Sequence, residues 1–398
     1  MVPSLDQRLI DIAASAIDSD LVELRRAIHR YPERAGPERE NAALVAGRLR
    51  DAGLDVRAGV SGHGVVAVVH GSEPGPLIAY RADMDAVRDD ELFDSDIRSR
   101  VPGVAHLCGH DIHTAVGVGV AETLAALRDR FHGSVAFLFQ PAEETLDGAR
   151  AMIDEGVLDD LQPVEIYAIH CGPTPAGTIS VLPGVGQPGH DGFHVDMTGP
   201  GAAERAHEIR AAVLKLATLP PLHELGRDGL ERITEPDGPF ARFVVARSWV
   251  ESASDDGARL NAMFRAWPQE RYAELRQQSA DIVTTVCGTE IAERIVFWGE
   301  PFPAMVCDAK LSEQAGEYFG SVLGPENISV LRGFFPYNGE DFALFLDRIP
   351  GAMFYLGVSN ESAGQLGVPH APTFSADESA IGIGTRAVAG WLGSRLGP

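Results

Sequence analysis

The sequence predicts an α/β layer fold divided into two domains, and three observations lead there. Four nearly continuous apolar runs, LIAYRADMDAV, SVAFLFQPAEE, VEIYAIHCGP and AMFYLGVS, have the character of strands covered on both faces. The segments TAVGVGVAETLAALRDR and DGARAMIDEGVL between them carry apolar residues at helical spacing. Polar residues collect at the carboxyl ends of the runs, first Asp83 and Asp85, then Glu143 and Glu144, then His170. Open α/β sheets place their ligands at that end. At 398 residues the chain is also long for one domain, so two are expected.

The elements follow in order. Leu5, Leu9, Ile12, Ile17, Leu21, Leu24 and Ile28 recur every three or four positions and predict a helix over 5–30, ended by Pro32. A second helix is predicted over 37–52 and closed by Gly53, with GVVAVVHG as a short strand after it. The glycines of TAVGVGVAE are expected to let helices approach closely. From 187 to 301 the character changes. FHVDMTG and ARFVVARSWV read as strands, and AAERAHEIRAAVLKLATL and PQERYAELRQQSADIVTTV as helices, with few clustered ligand candidates. The predicted division is therefore 1–186 and 302–398 for one domain and 187–301 for a second, inserted one. GVGQPGHDG and GEPFPAM are the expected hinges.

Composition removes several classes of function. Fifty-seven acidic against 33 basic residues give a formal charge of -24, which repels polyanions, so no nucleic-acid partner is expected. The N-terminal segment is acidic where a signal peptide is basic, and no run is long enough to span a bilayer. No membrane partner and a cytoplasmic location are the resulting expectations. Neither a GxGxxG fingerprint after a strand nor a Walker A loop occurs, which leaves a nucleotide cofactor without support. Four widely spaced cysteines do not make a disulfide scaffold.

Cys108 differs from the other cysteines because His110 stands two residues away, in HLCGHDIH. Thiolate and imidazole are both good ligands for zinc and related ions. Asp111 is a candidate to orient a ligating imidazole through a hydrogen bond. QPAEE places two adjacent carboxylates, Glu143 and Glu144, at a strand end, where they repel unless a cation or proton compensates. One can ligate an ion while the other takes a proton from water, and the residues alone do not say which does which. His170 ends another strand and His370 lies in the polar loop GVPHAPTFSADE. Asp83 and Asp85 either cap the following segment or hold ligand histidines, and the second role is expected. NGEDF, at 338–342, is a candidate support loop.

Taken together, RRAIHRYPE, YRADMDAV, HLCGHDIHTA, FLFQPAEETLDGARAMIDEGVL, IHCGPTPAGTI, NGEDFALF and VPHAPTFSADES resemble the M20 metallopeptidase family. The resemblance is to its amidohydrolase branch, with aminoacylase, hippurate hydrolase and indole-acetyl-amino-acid hydrolase-like members. It runs collinearly over about 20–185 and 335–398. It implies a metal-binding α/β catalytic domain with a smaller inserted α/β lid or dimerisation domain, and a possible homodimer. It further implies that Cys108, His110, Glu144, His170 and His370 hold two divalent ions, zinc or manganese, with nickel or cobalt as alternatives. Cys108 is the implied bridge and Glu143 the implied general base. Asp85 joins Glu143 as the second candidate catalytic residue. The implied reaction is hydrolysis of a small-molecule amide by metal-activated water.

The inserted domain departs from the family. Members usually carry a GKGGHAA-type motif whose histidine reaches the substrate, whereas this chain reads GPGAAERAH at 199–207. His207 lies four residues beyond Ala203, which occupies the matching place. The NVIPD-type segment is absent too, although ESASDDGARLNAMFRAW keeps Arg265. These changes keep two other readings open, an amide-forming or acyl-transfer enzyme on the same centre and a noncatalytic binding protein that retains the fold.

Overall fold

A computed structural model describes residues 5–254 and 257–397. Asp255 and Asp256 of ESASDDG lie outside the described residues, as do the first four residues and Pro398. The chain begins with helices α1 (Gln7–Ser15), α2 (Asp18–Arg30) and α3 (Arg39–Asp51), then strands β1 (Asp55–Val60), β2 (Gly64–His70) and β3 (Glu73–Asp83). Helix α4 (His110–Ala126), β4 (His132–Gln140), β5 (Glu165–Pro175) and β6 (Ile179–Val181) follow. Next come β7 (Gly186–Gln187), β8 (Asp191–Thr198), β9 (Phe243–Ser254), β10 (Gly257–Trp267), β11 (Val296–Phe297) and β12 (Met305–Val306). β13 (Ile328–Val330), β14 (Gly351–Ser359) and the helix Ser379–Arg395 complete the order.

Two compact units result. One holds the described residues up to Gly184, with Cys307–Val330 and those from Leu344 onward; the other holds Val185–Val306 and Leu331–Ala343. The first is built on an eight-stranded sheet of order β1-β2-β4-β3-β5-β14-β6-β13. Its centre, β4-β3-β5-β14, is parallel. The four apolar runs of the sequence are these four central strands, and their nearly complete burial explains why they show no alternation.

Register decides what those strands present together. Asp83 pairs with Gln140 across β3 and β4, and Arg81 with Ala168 across β3 and β5. Continuing the second register by two residues brings Asp83 level with His170. The carboxyl ends of three strands are thereby aligned before any side-chain interaction is considered.

Helix α4 covers this sheet and is buried along nearly its whole length, packed against α2 and Ser379–Arg395. Its glycines serve the close approach expected of them. A Cβ on Gly117 would stand 3.0 Å from Phe139, and one on Gly119 would stand 2.6 Å from both Leu21 and Thr385. Gly109 caps the start of the helix; its φ of +93° suits a residue without a side chain, and a Cβ there would meet Cys171 Sγ at 2.6 Å. The predicted helix over 5–30 is interrupted: α1 ends at Ser15 and α2 begins at Asp18. Acidic Asp18 and Asp20 in the first turn of α2 favour a new helix start there.

The second unit has a four-stranded antiparallel sheet, β11-β8-β10-β9. β10 alternates buried and half-buried residues over its whole length, as expected of a sheet covered on one face. The helices Ala202–Leu214 and Arg271–Cys287 supply the cover through Ala206, Ile209, Val213, Tyr272, Leu275 and Val283.

Candidate metal centre

Cys108, His110, Glu143, Glu144, His170 and His370 all lie in the first unit. The bend before α4 carries Cys108, and the first residue of the helix is His110. Cys108 Sγ lies 3.4 Å from His170 Nε2, and His110 joins both within one potential ligand group. Glu144 Oε1 is 3.8 Å from His110 Nε2 and 3.8 Å from His370 Nε2. Glu143 Oε2 is also 3.8 Å from His110 Nε2. The structure thus brings together all the candidate ligands and the candidate base.

Second contacts aim these side chains. His110 Nδ1 donates to the Asp85 carbonyl at 2.8 Å, and His170 Nδ1 to the Cys171 carbonyl at 2.8 Å. In the neutral ring each bond fixes the tautomer that leaves Nε2 turned inward with a free lone pair. His370 has φ of +62°, uncommon for a residue with a side chain, and its N–H donates to the Leu107 carbonyl at 2.8 Å. That bond ties the C-terminal loop to the segment carrying Cys108. Histidine 370 is the most open member, with 43% of its side chain exposed.

Asp85 acts mostly on the glutamate pair. Its Oδ1 accepts the Glu143 N–H at 3.1 Å and its Oδ2 the Glu144 N–H at 2.9 Å, while Oδ1 stands 3.3 Å from His110 Nδ1. Asp83 does not hold a ligand, contrary to expectation. It pairs with Arg81 and accepts from His113 Nδ1 at 2.6 Å, and His113 Nε2 accepts the Cys171 N–H at 2.7 Å. Helical spacing explains the difference, because His113 lies one turn below His110 on the same face of α4 and meets the deeper aspartate. With both ring nitrogens engaged, His113 supports the wall behind His170.

Asp111 also differs from its expected role. It faces away from the ligands and accepts from Arg25 Nε at 2.6 Å and His29 Nδ1 at 2.8 Å. His29 Nε2 reaches Glu91 at 3.3 Å. This buried network uses the Arg and His of RRAIHRYPE, four residues apart on one face of α2. Charged residues falling on an otherwise apolar helical face were the available sign of it.

Electrostatics expose a missing positive charge. Burial alone would lower the pKa of His110, yet the carboxylates of Asp83, Asp85 and Glu144 outweigh it and lift it to about 10. Glu144 is lifted to about 7, first by burial and then by Asp85 and Asp83, against the pull of His110. Burial, helped by His113, holds His170 well below its ordinary value and therefore neutral. Without metal, a protonated imidazole does the neutralising that a cation would do. Two buried atoms are still left without hydrogen-bond partners, His110 Nε2 and Glu144 Oε1, which face each other at 3.8 Å. Two ligands about 2.1 Å from one ion stand roughly 3.4 Å apart in tetrahedral geometry. The mixed sulfur, nitrogen and oxygen donors accordingly fit divalent ions.

In the second unit, Gly199 and Gly201 take positive φ and form the turn before Ala202–Leu214. Ala203 falls in the first turn of that helix, and His207 is exposed farther along it. Arg265 lies on β10, beside the backbone of Gly339 from the NGEDF loop.

Comparison with known proteins agrees with this geometry. The model of peptidase family M20/M25/M40 matches residues 79–393. A probable hydrolase of Synechocystis is 34% identical over 381 residues, covering 93% of this chain and 95% of that protein. An IAA-amino acid hydrolase of Arabidopsis thaliana, ILR1-like 4, is 29% identical, covering 92% of this chain and 83% of its own length. Among solved structures, the YXEP protein of Bacillus subtilis, described as a dinuclear metal-binding peptidase from the M20 family, superposes with a TM-score of 0.75. It is 26% identical, with 96% of this chain and 99% of that one covered.

Proposed function

The chain belongs to peptidase family M20/M25/M40 and is a metal-dependent hydrolytic enzyme, and from that premise we propose that it cleaves the amide of a small N-acyl amino acid or related metabolite. The relative named for IAA-amino acids supports that substrate class. Within the same proposal, Cys108, His110, Glu144, His170 and His370 hold two divalent ions, zinc or manganese. Nickel or cobalt are compatible with the same donors. The facing, unpartnered His110 Nε2 and Glu144 Oε1 are the observation that carries this assignment.

Bound divalent ions supply Lewis acidity to a carbonyl and a lowered pKa to water. The protein residues manage the protons. Glu143, beside the ligands and largely buried, takes the proton of the attacking water and delivers it to the leaving nitrogen. Asp85 keeps both glutamates aimed by holding their backbone amides. A 187–301 lid or dimerisation domain, a homodimer built through it and a cytoplasmic location belong to the same reading. Among the described residues, no helix is long and apolar enough to cross a membrane.

The test is a panel of N-acetyl, N-benzoyl and N-indoleacetyl amino acids incubated with protein saturated in zinc or manganese. Release of the free amino acid, abolished by chelation and restored by metal, is expected. Intact amides across the panel would overturn the substrate assignment.

A further inference from the structure

Glu143 and Glu144 are neighbours in sequence, and neighbours in an extended chain point to opposite sides. Here both carboxylates come within 3.8 Å of His110 Nε2. The backbone turns to allow it, and Ala142 adopts φ of +57°, an unfavourable conformation for a residue with a Cβ. The turn closes tightly: the Ala142 carbonyl accepts the Gly148 N–H at 3.1 Å, the Glu143 carbonyl accepts the Leu146 N–H at 2.7 Å, and a Cβ on Gly148 would lie 1.7 Å from the Pro141 carbonyl oxygen.

Three successive backbone N–H groups point out of this turn, and each meets a buried carboxylate. Asp85 takes those of Glu143 and Glu144. The third, from Ala142, goes to Glu38 Oε1 at 2.8 Å. Glu38 is fully buried at the head of α3, yet its side chain makes no capping bond to its own helix. Its carboxylate instead reaches a turn more than a hundred residues away. The head of α3 is itself fixed, because Glu33 accepts the Glu40 and Asn41 N–H groups while its carbonyl accepts the Ala86 N–H at 2.8 Å. The supports of Glu38 and Asp85 therefore share one foundation.

We propose that Glu38 is a positioning residue for the reaction: by accepting the Ala142 N–H, it holds the 142–144 turn in the shape that directs Glu143 and Glu144 to one centre. The proposal rests on Glu143 being the base and Glu144 a ligand. What matters is a buried acceptor at this position, so glutamine can serve and leucine cannot.

Glu38→Leu and Glu38→Gln, each compared with the unchanged protein, separate this from a general packing role. Hydrogen–deuterium exchange on the metal-free proteins comes first. Glu38→Leu is expected to lose protection in the peptide spanning 139–147 while β5 and β14 stay protected, and Glu38→Gln is expected to retain it. The metal-loaded proteins are then assayed on a panel substrate that is turned over. Glu38→Leu should lower kcat by about 10- to 100-fold with KM within about twofold, the cost of a catalytic group displaced by an ångström or less. Glu38→Gln should stay within about threefold of the unchanged protein. Unchanged exchange at 139–147 in Glu38→Leu, unchanged kcat, or a glutamine variant as impaired as the leucine variant would each overturn the proposal. Failure of the whole substrate panel would count against the proposed activity, while the exchange experiment would still decide the role of Glu38.

Discussion

Replacing Asp85 with asparagine tests how the glutamate pair is held. The native carboxylate is 1% exposed and accepts two backbone N–H groups, at 3.1 and 2.9 Å. Asparagine keeps its shape but presents an NH2 group where one of those donors needs an acceptor. One charge-assisted bond of about 1.5–3 kcal/mol is lost and a buried N–H is left unpaired, so about 3 kcal/mol of stability should disappear. Asp85→Ala, which removes both acceptors, should cost about 4–5 kcal/mol. Urea unfolding of the metal-free proteins, followed through the first unit, measures both. In the metal-loaded asparagine variant, kcat should fall about 10- to 100-fold because Glu143 is no longer fixed. An unchanged urea midpoint together with an unchanged kcat would refute the positioning role of Asp85.

Two further perturbations probe the same unit. In the metal-free protein the pKa values of His110 and Glu144 are both raised, to about 10 and about 7. At these two groups the folded state holds more protons than the unfolded state, so the stability they contribute is lost as pH rises. The Glu144 contribution is lost through about pH 7 and that of His110 through about pH 10. Thermal unfolding of chelated protein from about pH 8 to 11, above the range in which His106, His170, His190 and His370, kept neutral by desolvation, give the opposite slope, should show a falling Tm, and metal loading should flatten the profile. A flat profile without metal over that range would show that His110 does not carry this charge. Separately, Arg25→Ala leaves buried Asp111 without its guanidinium partner, 2.6 Å away. A cost of about 3–5 kcal/mol is expected in urea unfolding, and a cost below about 1 kcal/mol would contradict a tight buried pair.

Much of the first unit was legible because parallel strands advertise themselves as unbroken apolar runs, with the candidate site residues just beyond them. Several candidate ligands stood out at those strand ends and in the Cys-Gly-His spacing before α4, while the full proposed set and the division between ligand and base came from the family resemblance. Supporting residues were harder to assign. Asp111 and Asp83 were recognised as supports, but their partners depend on which turn of α4 faces which strand end, a matter of packing depth rather than spacing. Glu38 carried no sign at all, since its partner, the Ala142 amide, is a backbone group far along the chain. β10 was missed as a strand because its buried positions include small Ala258, Ala262 and Ala266, which dilute the apolar alternation. The interruption between α1 and α2 was hidden by apolar residues that keep a helical rhythm across the break.

The central claim is that Glu143 moves the proton at a centre held by Cys108, His110, Glu144, His170 and His370. Its most direct test is Glu143→Gln, measured for bound metal and for turnover of an N-acyl amino acid in one preparation. The account predicts two divalent ions retained per chain and kcat reduced at least about 100-fold, the loss of a general base. Turnover at the unchanged rate with both ions bound would contradict it.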